Sequence, residues 1–275
     1  MLADRLRTAL PHLPPQLAAA GRHIADRPFE AATRSMRALA AEAGASPATF
    51  TRLAQALGFP GWDALRAVAI EEQRRPAPYS SRAPASGGLA AIRAAEALNV
   101  EALAAIPDAA LDAAAAALHA APRIHVAGFR SCRAVALLLH YQLRLFRPDT
   151  GLVEGAPLDL ELGAMRAGEA FLLVGFAPYS RDSLIAMATA RAAGLVTVVL
   201  ADSAAAPIAA GADHLLRFAT ATPAFFPSLA AATALAQALA AAVFTLGGAA
   251  ARARLEASEA RLAALAAYLP DPEEP

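Results

Sequence analysis

The spacing of apolar positions along the chain changes character at residue 71 and again near residue 122. Before residue 71 the apolar residues recur at helical intervals, as in Met36, Leu39, Ala40 and Ala43 and again in Phe50, Leu53, Ala54 and Leu57. Residues 71–88, EEQRRPAPYSSRAPASGG, break every periodicity and collect Pro, Ser, Gly and Arg, the composition of a linker. Two Ala-rich helices, over about 88–105 and 108–121, then lead into short apolar runs at 123–129, 170–176, 195–201 and 213–218, with a weaker one at 150–155. Runs of this length alternating with helical stretches predict a parallel sheet covered on both faces. The predicted organisation is an all-α domain over 1–72, a linker over 73–88, and an α/β three-layer domain with a five-stranded parallel sheet over 89–275.

Within the helical part, Gly44 marks the end of one helix and Ser46-Pro47 the start of the next, since Ser is a preferred N-cap and Pro is pre-set for the first helical turn. Two short helices about a Gly-containing turn form a helix-turn-helix. With Phe50, Leu53, Ala54 and Leu57 turned inward, Ala48, Thr51, Arg52 and Gln55 point outward, Ser46 stands at the helix start and Thr49 lies at the flank. Short donors, an amide and a guanidinium are the groups that reach base edges and phosphates in a major groove. The competing reading is a small helical domain with a polar, solvated face that packs on a protein partner. RALAAEAGASPATFTRLAQALGFPGWDALR, residues 37–66, resembles the N-terminal helix-turn-helix of the RpiR family of bacterial transcriptional regulators. Leu39, Ala40, Gly44, Ser46, Thr49, Arg52, Leu57, Gly58, Phe59, Gly61 and Trp62 carry the match, and GRHIADRP at 21–28 precedes it. The resemblance spans about 15–71 and implies DNA binding through the second helix.

In the C-terminal part the informative stretches follow strands. Ligands of open parallel sheets sit at strand carboxyl ends, where helix N-termini offer free N–H groups to anions. GFRSCR at 128–133 and FAPYSRDS at 176–183 occupy such places. Ser131, Ser180 and Ser183 can donate to a phosphate oxygen, Arg130 and Arg181 can add bidentate charge, and Tyr179 lies among them; the serines can equally serve as helix caps. Residues 175–216 resemble the sugar isomerase (SIS) domain that forms the C-terminal half of RpiR regulators, with Asp202, Ser203, Pro207 and Ala209 at the family's Asp-Ser and Pro-hydrophobic-Ala elements. The likeness covers roughly 89–247. Against the family's Ser-x-Ser-Gly-x-Thr, Pro178 takes the first Ser, Ser180 keeps the second, Arg181 replaces Gly and Ser183 stands for Thr. The family's Gly-x-Gly-x-Ser becomes Gly128, Phe129, Arg130, Ser131, Cys132, so either Ser131 or Cys132 takes the ligand-facing place. The resemblance implies a phosphosugar ligand, and the added arginines leave room for another small anionic metabolite.

Composition narrows the reading further. Acidic and basic residues balance at 24 each, and every basic one is Arg; the first 75 residues hold 10 Arg against 7 acids, a mildly basic segment that suits a polyanion partner. One cysteine, Cys132, excludes an intramolecular disulfide framework and points to a reducing cytoplasm; it reads either as a packed thiol or as one activated by Arg130 and Arg133. Six dispersed histidines give no metal-ligand spacing, so no metal and no cofactor are expected. Residues 228–248 carry no charge, yet are mostly Ala with Thr233, Gln237 and Thr245 inside, which predicts a buried helix of a protein core and no membrane span. The expected function is a transcriptional regulator sensing a small anionic metabolite as a homodimer or tetramer, paired through Ala-rich helices at 89–121 and 228–265, on a near-palindromic double-stranded operator. The alternative is a phosphosugar isomerase with a helical appendage; Asp182, Glu161 and His140 are its nearest acid–base candidates, without a recognisable pairing.

Overall fold

The computed structural model describes residues 2–26, 31, 32, 34–74, 79, 88–153, 157–265 and 267; most of the linker predicted over 73–88 and the end of the run at 150–155 lie outside them. The chain divides into two units, Met1–Arg82 and Ala83–Pro275.

The first unit is built from α1 (Leu2–Ala9), α2 (Pro15–Asp26), α3 (Met36–Glu42), α4 (Pro47–Ala56) and α5 (Trp62–Arg74). Their apolar stripes meet in one core that includes Leu6, Ile24, Leu39, Phe50, Leu53 and Leu65, with the Phe50 and Trp62 rings edge to face at 5.5 Å. Gly44 and Gly58 end α3 and α4 in left-handed conformations, at φ 61° and 81°. At each, the glycine and the residue after it donate back to the helix's last turns, Gly44 to Ala41 and Ala45 to Ala40, then Gly58 to Gln55 and Phe59 to Ala54. A side-chain-bearing residue would resist that backbone conformation, so these glycines set how the chain enters and leaves α4. Arg5 closes the corner from α1, donating to the Leu57 carbonyl at 3.1 Å and lying over the Phe59 ring.

The second unit begins with α6 (Leu89–Glu101) and α7 (Asp108–Ala120) and continues as β1 (Ile124–Gly128), α8 (Arg133–Phe146), β2 (Thr150–Val153), α9 (Leu158–Gly163), β3 (Ala170–Gly175), α10 (Arg181–Ala192), β4 (Val196–Ala201), β5 (His214–Arg217) and α11 (Ala230–Ala264). All five strands are parallel, in the order β2-β1-β3-β4-β5. Side chains of β3 alternate between two cores. Ala170, Leu172 and Val174 join residues of α7, α8 and α11, while Phe171 and Leu173 join residues of α9 and α10. The result is the three-layer arrangement that the continuous apolar runs predict.

Helix α11 is long, kinked at Gly248, and buried along one face through Leu235, Leu239 and Val243. The stretch at 228–248 is therefore core helix on that side only, and its other face, with Leu246, is exposed. At the opposite edge, Asp213 ties β5 to β4: its carboxylate accepts from the Thr197 amide and hydroxyl, each at 2.8 Å. The Thr197 backbone bond, then its hydroxyl bond, holds this carboxyl below its ordinary range. A depressed folded pKa means that the stabilisation is present above the unfolded value near 4 and is lost as pH falls through the folded one. Asp213→Ala is expected to cost about 1–2 kcal/mol near pH 7, a gap that narrows in acid, as read by urea unfolding at several pH values.

Candidate functional site

In the first unit the exposed side of α4 is the chemically distinctive surface. Ser46 caps the helix, its hydroxyl accepting from the Thr49 amide at 3.3 Å and sitting 3.0 Å from the Thr49 hydroxyl. Thr49 is only 3% exposed, which corrects its placement at the flank of the outward face: at the third helical position its hydroxyl belongs to the cap. Thr51 is half-buried, with its hydroxyl against the Pro47 carbonyl and the Met36 sulfur, so it too is engaged within the unit. Ala48, Arg52 and Gln55 are exposed, at helical spacing along one side. Among the described residues neither the Arg52 nor the Gln55 side chain has a hydrogen-bond or ion-pair partner.

In the second unit the strand order determines where a ligand fits. The chain leaves β1 for β2 on one side and then returns to place β3 on the other, so connections diverge between β1 and β3. Loops after those two strands diverge there, the place where open parallel sheets accommodate a ligand. The loop after β1 is a tight turn. A Cβ at Gly128 would come within 2.5 Å of the Cys132 carbonyl oxygen, so only glycine permits this approach. Arg130 follows with φ 56°, exposed; Ser131 is half-buried; Cys132 is 5% exposed and packs into the core below. Of the two, Ser131 is therefore the more outward, and Cys132 is packed beneath the turn. Burial also pushes the Cys132 thiol up to about 12, against smaller opposing hydrogen bonds from Phe176 and Ser131, so it is a packed thiol and no activated nucleophile. Gly128→Ala is expected to destabilise the unit by about 1–3 kcal/mol and to displace this turn, measurable by chemical denaturation together with ligand titration.

The loop after β3 is anchored by a carboxylate. Asp202, just past β4, accepts from the Ala177 amide at 3.1 Å and from the Tyr179 hydroxyl. Burial raises the Tyr179 phenol, with the neighbouring Asp202 charge adding to it, and burial also raises the Asp202 carboxyl against the two bonds it receives. Tyr179 is therefore committed to Asp202, where it braces the loop. Ser180 caps α10, accepting from the Ser183 amide at 3.1 Å, with the two hydroxyls 2.8 Å apart. Ser183 is 4% exposed, so its hydroxyl orients Ser180 and does not meet a ligand directly. Arg181 is exposed at the first turn of α10. Of the seven residues the sequence singles out in these two loops, Arg130, Ser131, Ser180 and Arg181 remain for direct contact.

Asp202 falls outside that set because a lone Asp after a strand gives no sign of which loop it will bind. A neighbouring cleft of about 330 Å3 also escapes sequence reading. Its walls come from the turn between α6 and α7, including Ile106 and Pro107, and from Leu215, Arg217 and Phe218 at the end of β5, with Asp202 between. Residues so far apart in the chain carry no shared motif. Both features place polar groups at the strand carboxyl ends and small apolar side chains around them, which suits a small polar molecule.

Residues 117–242 match the family model of the SIS domain. No curated protein matches the chain. Among solved structures, the sugar isomerase domain of an RpiR transcription factor from Sphaerobacter thermophilus is 26% identical, with a TM-score of 0.58 over 62% of this chain and 96% of that one. The Vibrio vulnificus NanR protein complexed with ManNAc-6P is 17% identical and has a TM-score of 0.60, covering 96% of this chain and 99% of that chain, a likeness of fold. Sheet order and the matched residues agree: residues 117–242 of the second unit match the SIS domain.

Proposed function

We propose that the chain is a DNA-binding transcriptional regulator whose SIS domain senses a small anionic metabolite, a phosphosugar above all, and thereby shifts operator affinity. The observation that carries this reading is Arg52 and Gln55, exposed and with side chains unpartnered among the described residues, on a short helix entered through a capped turn, in a chain that also holds a SIS domain. An arginine and an amide presented together on a helix suit guanine and adenine edges. The basic excess of the first 75 residues suits the phosphate backbone. The RpiR likeness of the second unit and the phosphosugar in the NanR structure support the ligand class.

Pairing of two chains supplies the coupling. Leu89 and Leu98 on α6 and Leu246 and Leu265 along and just past α11 are exposed large apolar residues on the two segments expected to dimerise. A homodimer, or a tetramer of such dimers, presents two α4 helices to a near-palindromic operator in the cytoplasm. Ligand that favours one arrangement of the pair shifts DNA affinity by its difference in affinity for the two arrangements and by no more. A thermal-shift titration with phosphosugars tests the sensing half: the melting point rises with concentration if the second unit binds them, and no rise with any of them removes this function from it.

One observation favours the isomerase alternative. A half-buried carboxylate with a raised pKa, Asp202, lines the cleft, as a general base would. Both of its oxygens already accept hydrogen bonds, from Ala177 and Tyr179, which is the arrangement of an anchor. Interconversion of aldose and ketose phosphates on incubation with the protein, followed by proton NMR, decides for the enzyme; unchanged spectra decide for the sensor.

A further inference from the structure

The cleft beside β5 is a separate place from the loops after β1 and β3. It encloses about 330 Å3 between the turn that joins α6 to α7 and the carboxyl end of β5, the edge strand of the sheet. None of Arg130, Ser131, Ser180 and Arg181 lines it. Its walls are mostly apolar: Ile106 and Pro107 come from the turn, Leu215 and Phe218 from β5 and its end, and alanines supply most of the rest. Among the described residues that line it, the charged ones are Asp202 and Arg217, one of each sign. These two charges do not satisfy each other. The Arg217 side chain is exposed and has no hydrogen-bond or ion-pair partner among the described residues. Asp202 accepts one bond at each carboxylate oxygen, from the Ala177 amide and the Tyr179 hydroxyl, and each oxygen keeps a second lone pair.

A cleft with an unpaired guanidinium, a carboxylate that can still accept, and apolar walls is complementary to a molecule with one acid, one cationic donor and an apolar body. We infer that this cleft is a second ligand site and that it takes a zwitterionic amino acid with an apolar side chain. Arg217 meets the carboxylate with its planar fork, Asp202 receives the ammonium, and the side chain lies against Ile106, Leu215 and Phe218. The volume stands at the low end of the roughly 300–1,000 Å3 of small-molecule pockets, which suits a ligand of this size. A sugar phosphate suits it poorly, because its doubly charged group would stand near the Asp202 carboxylate and the apolar walls would leave most of its hydroxyls unpaired.

The test is calorimetric titration of the full chain with L-leucine and L-phenylalanine. Each is run beside its analogue without the ammonium, 4-methylpentanoate or 3-phenylpropanoate, and its analogue without the carboxylate, 3-methylbutylamine or 2-phenylethylamine. Wild type is expected to bind one or both amino acids, at least about tenfold more tightly than either analogue. Arg217→Gln is expected to bring the bound amino acid within about twofold of its amine analogue, and Ala105→Leu, which fills the cleft from its exposed wall, to weaken amino acid and analogues together. Both positions are exposed, so the melting point of each variant stays within a degree or two of wild type. Absence of binding by either amino acid overturns the inference, and so does an analogue that binds as tightly as its amino acid. Wild-type affinity in either variant also overturns it, since Arg217 is then only a cation on an edge strand or the amino acid binds elsewhere. Each of these results leaves the phosphosugar reading as it stands, because that reading uses other residues.

Discussion

Replacing Arg52 with Ala is expected to weaken operator binding by on the order of 100-fold while the melting point stays within a degree or two. The magnitude follows from geometry. A bidentate arginine contact to a base is worth about 1–3 kcal/mol, and a dimer makes the contact once in each half-site, so the loss counts twice. The fold is insulated because Arg52 is exposed and, among the described residues, unpartnered, and exposed substitutions of that kind change stability by about 0.5 kcal/mol or less. Gln55→Ala is expected to act in the same direction more weakly. Anisotropy titration of labelled operator reads the affinity and circular dichroism reads the fold; full operator affinity in Arg52→Ala takes this helix out of the DNA.

The double substitution Ser180→Ala with Arg181→Ala is expected to abolish the response of DNA binding to ligand and to leave ligand-free DNA binding within about twofold. One charge-assisted bond and one hydroxyl bond are removed, together about 2–4 kcal/mol, or at least about a 30-fold loss of ligand affinity. Ser180 is also the cap of α10, so the variant loses about 1 kcal/mol of stability, a cost that the first unit does not share. A wild-type ligand response in this variant removes both residues from the site.

Much of this architecture is written in short-range pattern. The strands are legible because each is a run of four to six residues, mostly apolar and bounded by polar or Gly-containing stretches, and their observed limits fall within two residues of those runs. The turn before α4 is legible because Gly44, Ser46 and Pro47 each have one favoured backbone role. What escapes is the direction of individual side chains in turns. Helical spacing puts Thr49 at the edge of the exposed face, yet its hydroxyl is drawn to the cap formed by Ser46. Ser131 and Cys132 are adjacent, and which one faces outward depends on Arg130 taking a left-handed backbone, a choice no spacing announces. The Ala-rich helix expected over 228–265 runs as α11 to Ala264, but its kink at Gly248 is not announced by spacing; beyond it Ala251 and Ser258 find partners in the core and on the Leu145 carbonyl. Long-range pairings such as Asp202 with Tyr179 emerge only once the sheet brings strand ends together.

The central claim is that α4 reads DNA as part of a paired assembly, and selection of duplexes from a random pool by the full chain tests it most directly. The expected result is an enriched near-palindrome with half-sites roughly 10 base pairs apart, centre to centre, whose enrichment disappears with Arg52→Ala. A pool that yields no preferred sequence, or one that yields the same sequence to the Arg52→Ala protein, contradicts the account.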